Sequence, residues 1–183
     1  VWLWKASDQV NQNSVSYDDF RDYRQGVDAF QELGATQLFN PRPLVTGEGE
    51  SETVEANLVT PNLFAVLGVV PVQGRAFRWE EAVLGGPEVT VLSYPFWQSR
   101  FGGDPGVIGR SLELDGTPTE IVGVMPQGFE FRRPVELWLP TREGSGAAQG
   151  RGNNNFFLVG RLKDGVSLEQ AQAQVDGVAS QIQ

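Results

Sequence analysis

Apolar positions recur along this chain with two periods, and the changes of period mark its elements. After Ser16, the residues Phe20, Tyr23, Val27 and Phe30 fall at helical spacing and form one stripe. Ser16 with Asp19 three residues later has the form of a capping box. Asp18, Asp19 and Asp22 lie toward the positive end of the helix dipole, and Gly34 is placed to stop the helix. Val1-Trp2-Leu3-Trp4, upstream, reads as a short apolar strand.

Beyond Gly34 the period shortens to two. Residues 35–39 read as a strand interrupted by Pro41 and Pro43. A hairpin follows, with arms at 44–46 and 52–59 around Gly47-Glu48-Gly49-Glu50; Val54, Ala56 and Leu58 alternate with polar neighbours in its second arm. Thr60-Pro61 predicts a cap and a short helix over Leu63, Phe64 and Leu67, ended by Gly68. Residues 75–87 read mostly as loop, 88–92 as a strand and 94–101 as a short helix. A second hairpin, 112–115 with 119–124, turns on Asp115-Gly116, a type I′ signal. Pro118 puts the start of its second arm at an edge or a bulge. Brief strands are expected at 137–139 and 156–162. Ser167 and Gln170 then cap a last helix, with Ala171, Val175, Val178 and Ile182 on its apolar stripe. Residues 142–155, poor in apolar side chains and rich in glycine, are the expected mobile loop or hinge.

This order favours an α+β fold over a doubly wound parallel sheet. Both ends of the chain pair one strand with one amphipathic helix. They are expected to form one lobe, residues 1–60 plus 151–183, carrying residues 61–150 as an inserted, hairpin-rich second lobe.

Composition narrows the function. A net charge of −9 gives no basic footprint for a nucleic-acid backbone. The chain has neither cysteine nor histidine, which removes disulfides, thiolate metal sites and the usual base near neutral pH. The longest apolar run, 63–70, falls well short of the ~18 residues a membrane-spanning helix needs. The start at Val1, without an initiator Met, suggests a fragment or a processed product.

The candidate chemical motifs each have a simpler reading. Asp18, Asp19 and Asp22 fit a helix N-terminus better than a metal cluster, since no calcium-loop spacing surrounds them. Gly47 and Gly49 could cradle a phosphate, but Glu48, Glu50 and Glu52 would repel it. Ser93 stands between strand and helix as a nucleophile elbow does, yet the flanking glycines are missing, and neither Lys5 nor Lys163 lies in an S-x-x-K motif. A cap is the better reading for it. Glu80 with Glu81, or Glu113 with Glu120, could be read as a carboxylate pair for glycoside hydrolysis; solvated surface is the better account. Trp79, Phe96, Trp97 and Trp138 read as core before binding surface. No residue is therefore assigned a catalytic, cofactor-binding or metal-binding role, and no cofactor is expected.

Several segments together carry a resemblance. They are Val15-Ser16-Tyr17-Asp18-Asp19-Phe20-Arg21-Asp22-Tyr23-Arg24, Val59-Thr60-Pro61-Asn62-Leu63-Phe64-Ala65-Val66-Leu67-Gly68-Val69 and Gly74-Arg75-Ala76-Phe77. To these add 92–105, Ile121-Val122-Gly123-Val124-Met125-Pro126 and Val159-Gly160-Arg161-Leu162-Lys163-Asp164-Gly165-Val166. In this order the set resembles the MacB-like periplasmic core domain of ABC transporter permeases, in the MacB/FtsX-like permease family. The Ser-Tyr-Asp-Asp-Phe and Asp-Tyr-Arg wording resembles its acidobacterial duplicated orphan permease branch more than its macrolide-type exporters, without fixing the branch.

The resemblance implies a segment between the first two transmembrane helices of a bacterial inner-membrane permease, lying in the periplasm. It implies a porter-like lobe with an insertion, and a homodimer or pseudo-dimer driven by a cytoplasmic ABC ATPase, in some branches with a periplasmic adaptor. The expected function is non-enzymatic: transmission of ATP-driven conformational change across the membrane for export or envelope processes. The flanking membrane helices would be absent from this chain. The rival reading is a free-standing secreted module binding a peptide or glycan through Trp79, Trp97 and Trp138. A carboxylate-based enzyme is a third reading, for which no base can be named.

Overall fold

The computed structural model describes residues 2–3, 14–46, 50–148 and 150–182. The first capping box forms as its sequence requires. Asp19 N–H donates to Ser16 Oγ at 3.0 Å, Ser16 N–H donates to Asp19 Oδ2 at 3.2 Å, and α1 (Tyr17–Gly26) follows. The helix is shorter than its apolar stripe. Val27 is already extended, Phe30 opens β2 (Phe30–Thr46), and Gly34 lies inside that strand instead of ending a helix. All four stripe residues are buried in one core nonetheless, because the turn carries Val27 and Phe30 to the face that Phe20 and Tyr23 cover. At Gly34 a Cβ would stand 3.1 Å from Leu63 Cδ1 and 3.3 Å from Leu63 Cα, so the glycine admits close packing of α2 (Leu63–Leu67) on the strand.

Pro41 and Pro43 do not interrupt β2. They stand opposite Glu55 and Thr53 of β3 (Glu50–Val59), with a register shift between Gln37 and Asn40. On its other edge β2 bonds β9 (Phe157–Leu162) as far as Thr36, and β6 (Ser111–Leu114) only at Leu44 and Val45. The prolines thus occupy a stretch with one strand neighbour, where a missing N–H costs no ladder bond. Thr60 also departs from expectation. Its buried Oγ1 accepts the Ala35 N–H at 2.9 Å, and Asn62 takes the N-cap position of α2, which ends at left-handed Gly68.

The short strand β4 (Gln73–Gly74) has no counterpart in the sequence reading, while the remaining elements lie close to their predicted places: β5 (Val89–Leu92), α3 (Tyr94–Phe101), β7 (Thr117–Val124), β8 (Leu137–Pro140) and α4 (Leu168–Ala179). Two residues of the first predicted strand form β1 (Trp2–Leu3), paired with β9. Asp115 and Gly116 both have positive φ, as a type I′ turn demands. Pro118 pairs Glu113 of β6, and β5 joins β7 only from Glu120, so the proline sits on an edge. The Gly47-x-Gly49 tip, Lys5, Val1 and Gln183 lie outside the described residues.

Among the described residues one nine-stranded sheet runs in the order β1-β9-β2-β3-β8-β5-β7-β4, with β6 bonded to both β2 and β7. That double pairing closes β2, β3, β8, β5, β7 and β6 into a ring. Most pairs are antiparallel; β3–β8 and β5–β7 are parallel, and the architecture is mixed α and β. Three cores fill it. The first joins α1, α4, β9 and the start of β2 around Phe20, Leu33, Phe156 and Val175. The second lies within the ring, where Val54, Leu92, Leu112 and Leu137 meet Phe96 and Trp97 of α3. The third covers the ring's outer face through Phe64, Met125 and Trp138, with the Phe64 and Trp138 rings edge-on at 5.5 Å.

Candidate functional site

The residues singled out for chemistry are not brought together. Asp19 serves α1 as its cap, and Arg151 pairs with Asp19 at 3.2 Å and Asp22 at 2.7 Å, while Asp18 lies 3.8 Å from Arg21. Among the described residues no group of three acidic or other ligating side chains could hold a metal ion. Ser93 Oγ accepts the Phe96 N–H at 3.3 Å and is a helix cap. Lys163 meets Asp28 at the surface. Glu80, Glu113 and Glu120 are exposed.

Glu81 corrects the solvated-surface expectation. Its side chain is only 3% exposed, and it accepts from Arg75 at 2.6 and 3.1 Å and from the Arg78 N–H at 2.8 Å. Burial is tolerated because a bidentate guanidinium and a backbone donor satisfy the carboxylate. The Glu81 hydrogen bond in turn holds the Arg75 pKa above the ordinary arginine value.

The four aromatic candidates also separate. Trp138 belongs to the outer core, and Phe96 and Trp97 to the ring's interior, where Trp97 Nε1 donates to the Asp104 carbonyl at 2.9 Å. Trp79 alone is exposed, at 40%. The three indoles share no groove.

What the fold does bring together is a junction between α1 and two segments of the chain's middle. Arg24 lies over the Trp79 ring, its guanidinium carbon 4.4 Å from the centroid. Arg21, one helical turn earlier, meets Glu143 at 2.6 Å. The Glu143 N–H donates to Ala82 O at 2.9 Å, which joins the two middle segments to each other. Tyr17 lies under this cluster. Burial, and secondarily the Glu143 carboxylate, hold its hydroxyl pKa above the ordinary tyrosine value.

Exposed pairs of this kind contribute roughly 0–1 kcal/mol each, so these side-chain contacts fasten the junction only weakly. The glycine-rich segment beside it is partly anchored. Ala148 is buried in the first core, Ser145 Oγ donates to Arg142 O at 2.7 Å, and Asn153 Nδ2 to Gly146 O at 3.0 Å. Sequence reasoning missed this junction. The available signal was the three-residue spacing of Arg21 and Arg24, which places both on one side of α1.

The family described as the MacB-like periplasmic core domain matches residues 1–178. No curated protein sequence matches this chain. Among solved structures, the periplasmic region of MacB from Actinobacillus actinomycetemcomitans is similar with a TM-score of 0.74 at 15% identity, covering 99% of this chain and 81% of that one. A domain of a putative permease protein from Porphyromonas gingivalis gives 0.71 at 18% identity, covering 93% and 78%. The extracellular domain of the noncanonic ABC-type transporter YknZ from Gram-positive bacteria gives 0.65 at 19%, covering 94% and 86%. At these identities the structures speak for the fold. No helix among the described residues is long and apolar enough to cross a membrane.

Proposed function

This chain belongs to the MacB-like periplasmic core domain family, and from that premise we propose that it transmits ATP-driven movement across a bacterial inner membrane. It is the extracytoplasmic segment of an ABC permease that works as a homodimer or pseudo-dimer with a cytoplasmic ATPase, in export or an envelope process. Its work is mechanical and breaks no bonds. Two units carry it: residues 1–60 with 151–183, attached to the membrane helices, and residues 61–150, displaced by them. The 144–152 segment is the hinge.

The observation that carries this reading is the contrast between the buried sheet and core links that join those units and the exposed side-chain links at α1. The sheet passes from β9 through β2 and β3 into β8 without a break, whereas the side-chain links at α1 are exposed and polar. A continuous backbone gives the force a path, and weak surface contacts give it two arrangements to choose between.

This chain contributes no cysteine of its own to compete for a thiol label. Spin labels at Gln25→Cys and Glu80→Cys, both exposed positions, would be placed in the full permease assembled with its ATPase in membranes. The distance distribution is expected to change between nucleotide-free and ATP-bound states. An identical distribution in every nucleotide state would overturn the reading.

A further inference from the structure

The ring has one end packed by α3 and another end that is open. At the open end lies a cleft of about 390 Å³, with Leu58, Val89, Leu114 and Leu139 among its walls. That volume lies within the range of small-molecule sites, and the lining mixes polar with apolar side chains. Two ion pairs frame the cleft, Arg42 with Asp115 at 2.9 Å and Arg142 with Glu88.

Their positions follow from the strand order. Arg42 and Asp115 bridge the seam between β2 and the β6–β7 turn; Arg142 and Glu88 bridge the seam between β8 and β5. In a six-membered ring these seams are opposite. With strands about 4.8 Å apart and tilted, they stand roughly 9–12 Å from each other.

The two ends are not equivalent. Arg142 is committed, with Nη1 to Glu88 and Nη2 to Pro87 O, and its side chain is 18% exposed. Among the described residues Arg42 gives Nη1 to Asp115; its Nε is buried away from the cleft, which leaves Nη2 as the open donor. Arg42 is 31% exposed, and the Asp115 and Glu88 carboxylates, each with one bonded oxygen, are 43% and 44% exposed. Among the described residues, open guanidinium capacity is therefore confined to the Arg42 seam, while the Asp115 and Glu88 carboxylates offer acceptors at both seams, across an apolar floor.

We propose that this cleft binds a linear zwitterion, a carboxylate and an ammonium joined by an apolar chain. The carboxylate lies toward Arg42 and the ammonium toward Glu88. The site needs no residue of the α1 junction, so it stands or falls separately from the transport reading.

The probe is 6-aminohexanoate, whose five methylenes reach most of the width between the seams. Titrated into the ¹⁵N-labelled chain, it is expected to shift the Val89, Thr119 and Leu139 amides with a Kd of about 1 mM or tighter. Hexanoate and hexylamine, each lacking one charge, are expected to bind at least ~10-fold more weakly. Arg42→Gln and Glu88→Gln should each weaken the zwitterion by a similar factor, with the remaining spectrum unchanged. Should either variant lose its native spectrum, Thr117→Trp, which covers the mouth from an exposed position, should abolish the shifts by itself. Three results overturn the proposal: no shifts at about 10 mM probe, equal binding of hexanoate or hexylamine, or unaltered binding by folded variants.

Discussion

The Arg24 guanidinium and the Trp79 indole form the one aromatic contact by which α1 touches the chain's middle among the described residues, at 4.4 Å from carbon to ring centroid. Both side chains are exposed, so the attraction of cation for ring face is only partly desolvated. A double-mutant cycle with Arg24→Ala and Trp79→Ala is expected to give a coupling energy of about 0.5–1 kcal/mol in urea unfolding. A coupling indistinguishable from zero would mean that the contact does not fasten α1.

Alkaline pH should loosen the core on the same side. Burial holds the Tyr17 and Tyr23 hydroxyl pKa values above their ordinary value of 10.0. The folded state therefore keeps protons that the unfolded chain releases. The stability this provides is complete below about pH 10 and is lost as pH rises toward the folded pKa values. The unfolding midpoint should fall above pH 10 in the native chain. In the Tyr17→Phe, Tyr23→Phe double variant the fall should be smaller, and an equal fall would place the alkaline sensitivity elsewhere.

These features differ in how far the sequence revealed them. Caps and turns are local, so Ser16, Ser93, Ser167 and Asp115-Gly116 were legible from a few neighbouring residues, and the structure confirms each. Non-local matters were not. Whether Pro41 breaks a strand depends on what lies along its other edge, and there β9 ends and β6 has not begun. The parallel β3–β8 pair joins residues about 80 positions apart, which no periodicity encodes. Gly34 reads as a helix stop in sequence, but in space it makes room for Leu63. Glu81 looks like any surface acid until Arg75 is seen to fold back over it. The junction and the cleft were hidden for the same reason, since their charges come from separate strands and turns.

Gly74 and Gly123 face each other across the β4–β7 pair. A Cβ on Gly123 would stand 2.3 Å from the Arg75 carbonyl oxygen, and one on Gly74 would stand 2.1 Å from that of Val122. Backbone cannot move aside as a flexible side chain can. Gly123→Ala should cost about 1–3 kcal/mol or more, measured by urea unfolding. Gly146→Ala, in open space, should cost far less. Similar losses for both would show that close strand contact is not what requires glycine at Gly123.

Replacement of Glu81 tests whether the segment beside Trp79 is held by charge or by shape. Its carboxylate gathers Arg75 and the Arg78 N–H at a position almost closed to water. Glu81→Leu keeps the bulk but leaves the Arg78 N–H and a partly covered guanidinium without their acceptor. Loss of a buried acceptor costs about 1–3 kcal/mol, so unfolding in urea should move by that amount. Glu81→Gln keeps an acceptor oxygen and should recover part of the loss. If charge and hydrogen bonding hold the segment, Trp79 fluorescence should shift more in the Leu variant than in the Gln variant. Equal stability of the two variants would instead assign the segment's order to packing around Phe77 and Ala82, both buried beside it.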